Sequence, residues 1–322
     1  MQSLDRMIAT MRLQHKGERT IQCYSQWVRR YARWLIQHGS NYPDSAARAT
    51  AYLTHLAQRR VSQTTQNQCF NALIYFYKHG LRQPLPEGIN SLRAHVRRRI
   101  RRAPDPQVIR NLLHHVQNRA GYPTRLICHL LYAAGLRLHE CLQLRLRDIK
   151  LKDSAIVVHG GKGDKDRIVT LPCALLPALT AQARHAVAVW QHDVTAGIPI
   201  QLPSRLASKF PALERSKGWA WLFPQREPCE DPANRARKVR FHLHEANVQR
   251  AMSDACRRLK LPEPITPHHL RHAWATHTYR RGTPLRDIQE HLGHSHINTT
   301  MVYLTPDPTP IASPYDALGI KV

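Results

Sequence analysis

Residues 267–272, Pro-His-His-Leu-Arg-His, place His268 and Arg271 three apart, which is one face of a helix. Leu292-Gly293-His294 follows near a turn, and Tyr303 stands nine residues beyond His294. A guanidinium and two imidazoles can grip a phosphodiester through charge-assisted hydrogen bonds while a phenolic hydroxyl attacks it. Two glycine-marked segments upstream, Gly135-Leu136-Arg137 and Gly161-Lys162-Gly163, supply further cations. Each motif alone has an ordinary meaning. Arg137 is a surface charge after a helix cap, and the glycine-rich segment is a turn with a solvated lysine. That segment lacks the strand-loop-helix order and the Lys-Ser/Thr ending of a nucleotide phosphate loop. His268 and His272, four apart, have the spacing of metal ligands, but no nearby Asp, Glu or Cys completes a set. Together the motifs read as a site for DNA strand transfer.

Such a site needs elements to hold it. In the first ninety residues, Ile21, Tyr24, Val28, Tyr31 and Leu35 repeat at helical spacing, with Gly39 as a stop. A second helical pattern runs from about Ala46 to Arg59, and a third from Thr64 to His79, ending at Gly80. Pro84, Pro86 and Gly88 break the pattern. Six of the ten residues from 93 to 102 are then arginine (Arg93, Arg97, Arg98, Arg99, Arg101, Arg102), before Pro104-Asp105-Pro106. A basic connector bounded by proline is where two domains join. Beyond it, Leu126 to Ala134 reads as a buried helix capped at Gly135. Residues 155–158 and 167–171 read as strands joined in a hairpin across Gly160–Lys165. Residues from about 185 to 245 read as irregular, with Trp190, Trp219 and Trp221. Thr266 and Pro267 open the helix that carries His268 and Arg271.

The bulk composition agrees with a nucleic-acid partner. The chain has 322 residues, with 48 Lys and Arg against 22 Asp and Glu, a net charge of +26. An excess of that size points to phosphate contacts and salt-sensitive binding. An acidic membrane surface is the weaker alternative, since no basic amphipathic helix or lipidation signal is present. The seven cysteines are scattered with no Cys-x-x-Cys pair, which suits a reducing compartment. No secretory signal opens the chain, and the apolar run from Leu126 to Leu136 is too short to span a bilayer. The expectation is a cytoplasmic, nucleoid-associated protein with no membrane partner.

In their order and spacing the motifs resemble the tyrosine recombinase (phage integrase) family. The resemblance is carried by Ala134-Gly-Leu-Arg137-Leu-His-Glu140-Cys-Leu, Gly161-Lys162-Gly163-Asp-Lys165-Asp-Arg167, His268-His269-Leu270-Arg271-His272, Leu292-Gly293-His294 and Thr299-Thr300-Met301-Val302-Tyr303. It extends from the N-terminal helices to within about twenty residues of the end. It implies a mainly α, two-domain clamp: a helical core-binding domain and a mixed α/β catalytic domain with a small antiparallel sheet. The expected bounds are 1–92 for the first, 93–106 for a basic linker, and 107–322 for the second, with an insertion at about 190–245. The implied catalytic set is Arg137, Lys162, His268, Arg271, His294 and Tyr303. Arg137 and Arg271 would bind the non-bridging oxygens, and Tyr303 would attack to give a 3′-phosphotyrosyl enzyme. His268 would be the proton partner of that attack, Lys162 would protonate the leaving 5′-oxygen, and His294 would donate to the phosphate. Lys165 shares the hairpin and leaves the identity of the general acid open. No metal, cofactor or nucleotide is implied.

Within the family, the chain is most similar to the integron integrases. Trp27-Val28-Arg29-Arg30-Tyr31, Val61-Ser62-Gln63-Thr64-Thr65 and the extra segment with Lys209-Phe210-Pro211 and Gly218-Trp219-Ala220-Trp221 carry that likeness. It implies recombination of a double-stranded attachment site with folded single-stranded cassette sites, by a homotetramer on DNA built from free monomers. Trp219, Trp221, Pro232, Phe241 and His242 would then contact bases protruding from the folded strand, beside the backbone contacts of the arginine run and Lys165. Phe241-His242 departs from the paired histidines common at that place. The alternatives are a transposon or phage recombinase acting on duplex sites only, a type IB topoisomerase, and a non-catalytic DNA-binding relic.

Overall fold

The computed structural model describes residues 2–38, 41–59, 61–86, 102–159, 166–231 and 234–293. Over these the chain is mainly helical, with small antiparallel sheets. It divides into two units, Met1–Arg99 and Ile100–Val322. The arginine run from Arg93 to Arg101 lies outside the described residues, while Arg102 is exposed irregular chain ahead of Pro104.

The first unit strings together α1 (Gln2–Leu13), α2 (Glu18–His38), α3 (Ser45–Gln58) and α4 (Gln63–Tyr75), the last running on through a π-turn at Phe76–Leu81. Helix starts are fixed locally: Asp44 accepts from the Ala47 N–H at 2.7 Å and Ser62 from the Thr65 N–H at 3.1 Å. The helical spacing of apolar residues then buries Trp27, Tyr31 and Trp34 of α2 against Tyr52, Leu53, Leu73 and Tyr77. Tyr31 and Tyr77 share a 2.7 Å hydroxyl–hydroxyl bond inside this core, and burial pushes the Tyr31 phenol well above its usual range. Gly80 does not stop the helix as its residue type suggested. It lies within the π-turn, where a Cβ would stand 2.8 Å from the Ser3 carbonyl oxygen, so glycine is what lets α1 pass this close.

The second unit comprises α5 (Pro106–His115), α6 (Thr124–Ala134), α7 (Leu138–Leu142), β1 (Ile149–Lys150), β2 (Ala155–Val158), β3 (Arg167–Thr170), α8 (Leu176–Thr195), α9 (Ser204–Lys209), β4 (Cys229–Asp231), β5 (Asn234–Val239), α10 (Glu245–Arg258), α11 (Pro267–Arg280) and α12 (Leu285–Leu292). Leu112, Ile127, Leu131, Met252 and Leu270 bring α5, α6, α10 and α11 onto one core. The antiparallel sheet β1-β2-β3 covers it, with Ile156 paired to Val169 and both buried, while Ile168 on the other face is exposed. The hairpin read from residues 155–158 and 167–171 is therefore present, and its loop, 160–165, lies outside the described residues.

Two expectations about the insertion change. The segment to residue 195 is not irregular: α8 extends over twenty residues, because no proline or glycine interrupts the chain between Pro177 and Gly197. The polar stretch 229–239 forms the hairpin β4–β5, which has no apolar alternation to announce it. Ion pairs hold it instead, with Arg237 on Glu214 at 2.7 Å and on Asp231 at 3.1 Å. A buried pair between Arg240 and Asp193, at 2.6 and 2.5 Å, fastens the end of β5 to the end of α8.

Candidate active site

Two helix ends start the site. Both α6 and α12 terminate at a glycine in the left-handed region, Gly135 at φ 60° and Gly293 at φ 65°. At Gly135 a Cβ would lie 2.8 Å from the Trp274 ring, so the close crossing itself demands glycine. Helix C-termini leave carbonyl oxygens unpaired and carry negative partial charge. Arg271, on the second turn of α11 and only 1 % exposed, answers both: its Nη1 donates to the Gly135 carbonyl and its Nη2 to the Leu292 carbonyl, each at 2.7 Å. His291 adds a third tie, Nε2–H to the Ala134 carbonyl at 3.1 Å, with its ring stacked on Trp274 at 4.2 Å. Burial lowers the His291 pKa, in keeping with a neutral ring.

Past Gly135 the chain turns directly into α7, and Arg137 is its N-cap residue. Glu140, at the third helical position, accepts the Arg137 backbone N–H at 2.9 Å on Oε2 and the Arg137 Nη1 at 2.6 Å on Oε1. Arg167, at the start of β3, reaches the same carboxylate with Nη2 at 2.7 Å and Nη1 at 3.2 Å, while its Nε donates to the His291 carbonyl at 2.8 Å. The Arg271 Nη1 stands 3.8 Å from Glu140 Oε2. Burial alone would raise the Glu140 pKa. The hydrogen bonds and charge of Arg167 and Arg137 overcome it and hold the carboxyl at about 2. Three guanidinium groups around one carboxylate leave a surplus of positive charge, which is what an anionic phosphodiester and its more highly charged transition state require.

Of the expected catalytic set, Arg137 and Arg271 come together on this carboxylate, and His268 lies exposed on the first turn of α11, one turn before Arg271. Lys162, His294 and Tyr303 lie outside the described residues, as do Lys165 and Pro232. Neither Glu140 nor Arg167 was given a role by the motif that contains it. The available signal was local for Glu140, an acid three residues after Arg137 at a helix start. For Arg167 there was none, since its partners are 27 and 124 residues away. Among the described residues no group of three His, Cys, Asp or Glu side chains is arranged to hold a metal ion. No helix among them is long and apolar enough to cross a membrane.

A cavity of about 610 Å³ opens beside this cluster. Arg137, His139 and Glu140 line one side, and Trp219, Trp221, Phe241 and His242 of the insertion line another. The aromatic wall is not uniform. Trp221 is 4 % exposed, donates its indole N–H to the Arg240 carbonyl at 3.1 Å, and carries the Arg145 guanidinium 3.6 Å over its ring. One face of its ring is therefore covered by Arg145, and the residue lies at the back of the wall. Trp219 and Phe241 are half-buried, with Arg147 3.5 Å over the Trp219 ring. His242 is buried against Trp221, donates Nδ1–H to the Leu243 carbonyl at 2.9 Å, and has its pKa lowered by burial. Arg145 itself, buried between Trp219 and Trp221 with the Trp219 and Gln201 carbonyls as acceptors, is pulled down to about 9, chiefly by burial.

Comparison with known proteins places these features in context. Residues 103–309 match the phage integrase family, and residues 4–87 match the phage integrase N-terminal SAM-like domain. A protein of Escherichia coli described as "Integrase/recombinase" is 35% identical over 98% of this chain and 93% of its own length. The tyrosine recombinase XerA of Thermococcus kodakarensis is 31% identical over 90% of this chain and 86% of its own. Among solved structures, the Tn1549 transposon integrase in complex with transposon right end DNA superposes with a TM-score of 0.64 at 14% identity, covering 99% of this chain and 97% of that one. XerH bound to a difH substrate in a pre-cleavage complex gives 0.61 at 19% identity, covering 98% and 83%.

Proposed function

The chain belongs to the phage integrase family of tyrosine recombinases, enzymes that break and rejoin DNA strands, and from that premise we propose that it is an integron integrase. In this reading Arg137 and Arg271 grip the non-bridging oxygens of the scissile phosphate, and Glu140 keeps the two guanidiniums apart and oriented. The Tyr303 oxygen attacks phosphorus, so that a new O–P bond forms as the bond to the 5′-oxygen breaks. His268 takes the phenol proton, needed because a phenol of pKa ~10 is a weak nucleophile at neutral pH. Lys162 gives a proton to the departing 5′-oxygen, Lys165 being the alternative donor, and His294 donates to the phosphate. A 5′-hydroxyl from the partner strand reverses the steps, so bond energy is conserved without a nucleotide. Four protomers on two sites exchange strands. The arginine run from Arg93 to Arg102 crosses the DNA backbone between the core-binding and catalytic domains.

The observation that carries the integron reading is the cavity. A space bounded on one side by Arg137 and on the other by Trp219, Phe241 and His242 supports this reading, since an unpaired base lodged there would lie next to the phosphate grip. Folded single-stranded cassette sites present such bases; plain duplex sites do not. The second reading, a transposon or phage recombinase acting on duplex sites only, is favoured by one feature: Arg145 and Arg147 already lie over the two tryptophan rings.

Competition binding separates the two. A folded cassette hairpin is compared with the same hairpin lacking its protruding bases, and with the perfect duplex. Preferential binding and cleavage of the intact hairpin supports the integron integrase. Equal behaviour of all three DNAs favours the duplex-only recombinase.

A further inference from the structure

We propose that Arg167 is a positioning residue for strand cleavage: it shares the Glu140 carboxylate with Arg137, and so holds Arg137 in place without letting that carboxylate neutralise it. The inference rests on the reading of Arg137 and Arg271 as ligands of the scissile phosphate.

Arg167 touches three parts of the site at once. Its fork binds both oxygens of Glu140, and its Nε binds the carbonyl of His291 at the end of α12. Its side chain is 9 % exposed and that of Glu140 is 11 % exposed, so neither group can relax into water. Behind it lies Gly293, where a Cβ would stand 3.1 Å from Arg167 Cδ and Nη1. With its side chain buried and its donors on Glu140 and the His291 carbonyl, it is placed to act through its neighbours.

The charge arrangement gives the reason for a second arginine. Were Glu140 to face Arg137 alone, the two would close into a local ion pair three residues apart, and the positive charge meant for phosphate would be spent. With Arg167 on the same two oxygens, one negative charge is divided between two cations, and Arg137 keeps part of its charge for the substrate. The same residue begins β3, so it links the base of the hairpin bearing Lys162 to both α7 and α12. A lysine cannot replace it: one ammonium has no planar fork to bridge two carboxylate oxygens and a carbonyl in three fixed directions.

The test uses the full-length protein and a nicked suicide substrate made in two forms. One carries the normal phosphodiester at the scissile position. The other carries a methylphosphonate, in which a methyl group replaces one non-bridging oxygen and removes the charge that the arginines stabilise. Wild type, Arg137→Ala, Arg167→Ala and Arg167→Lys are compared for covalent adduct formation, with DNA binding and thermal melting measured alongside. A misplacement of the phosphate grip by an ångström costs about 10²-fold in rate. We expect a loss of that order for Arg167→Ala on the phosphodiester, with DNA affinity little changed, a substantial loss for Arg167→Lys, and recovery of each variant on the methylphosphonate. Should Arg167→Ala not fold, Arg167→Lys carries the same comparison. Wild-type cleavage of the phosphodiester by Arg167→Ala or Arg167→Lys overturns the inference. So does recovery of Arg137→Ala on the neutral substrate while a folded, DNA-bound Arg167 variant stays inactive. If Arg137→Ala itself does not recover, its reading as a phosphate ligand fails, and the inference falls with it.

Discussion

Replacing Glu140 with glutamine removes one negative charge and little else in volume, which makes it a direct probe of the cluster's energetics. The carboxyl falls from an ordinary 4.5 to about 2 in the folded protein. At about 1.4 kcal/mol per tenfold change in acidity, that is ~3 kcal/mol of preference for the ionised form. A second argument gives the same size: removing one partner of a buried ion pair costs ~3–5 kcal/mol because the remaining cations lose their counter-charge. The pH dependence has a definite sign. Glu140 is more acidic folded than unfolded, so its contribution is complete above about pH 4.5 and fades as the pH drops towards about 2. Urea unfolding of the full-length protein, followed by tryptophan fluorescence at pH 7 and pH 3, compares wild type with Glu140→Gln. We expect the variant to be weaker by ~3 kcal/mol at pH 7, with the gap narrowing markedly at pH 3. A gap below ~0.5 kcal/mol at pH 7, the scatter of ordinary surface substitutions, would refute the reasoning. So would a gap that does not change with pH.

Other consequences follow from single features. Gly135→Ala places a Cβ both at φ 60° and 2.8 Å from the Trp274 ring, so a loss of at least ~1–2 kcal/mol is expected, visible as a lowered melting temperature. No change in melting would show that α6 and α11 separate easily there. Trp219→Ala should weaken binding of a hairpin with protruding bases by ~1–3 kcal/mol, the worth of one stacked base, and leave duplex binding nearly unchanged. Equal losses on both DNAs in a titration would assign Trp219 to packing alone. The excess of cations should make DNA affinity fall ~10³–10⁵-fold between 50 and 200 mM salt if 6–10 phosphates are contacted, as read by fluorescence anisotropy. A flat salt response would remove the phosphate grip from the account.

What could be read in advance from the chain was what is determined locally. The cap at Gly135 and the Thr266-Pro267 start of α11 are written in adjacent residues, and they put Arg137 at the start of α7 and Arg271 on the second turn of α11. The apolar repeat from Ile21 to Leu35 likewise located α2. Features held by distant charge pairs were not legible. The strand β5, Asn-Arg-Ala-Arg-Lys-Val, has no alternation and depends on Glu214, Asp231 and Asp193 for its place. Arg167 looked like one more basic residue beside a hairpin, because Glu140 and the His291 carbonyl meet it only in the folded unit. The surroundings of Trp221 were equally illegible: the resemblance implies a base contact there, and the sequence does not announce that Arg145 lies over its ring or that its indole N–H donates to the Arg240 carbonyl.

The central claim is that Tyr303 becomes covalently joined to DNA. It is tested most directly by trapping the full-length protein on a nicked suicide substrate, digesting the adduct with nuclease and trypsin, and locating the residual nucleotide by mass spectrometry. We expect the nucleotide on the peptide containing Tyr303, attached through a 3′-phosphate, and no adduct from Tyr303→Phe although that variant still binds DNA. A nucleotide found on Tyr279 or Tyr315 would contradict the assignment, and an adduct that survives in Tyr303→Phe would do the same.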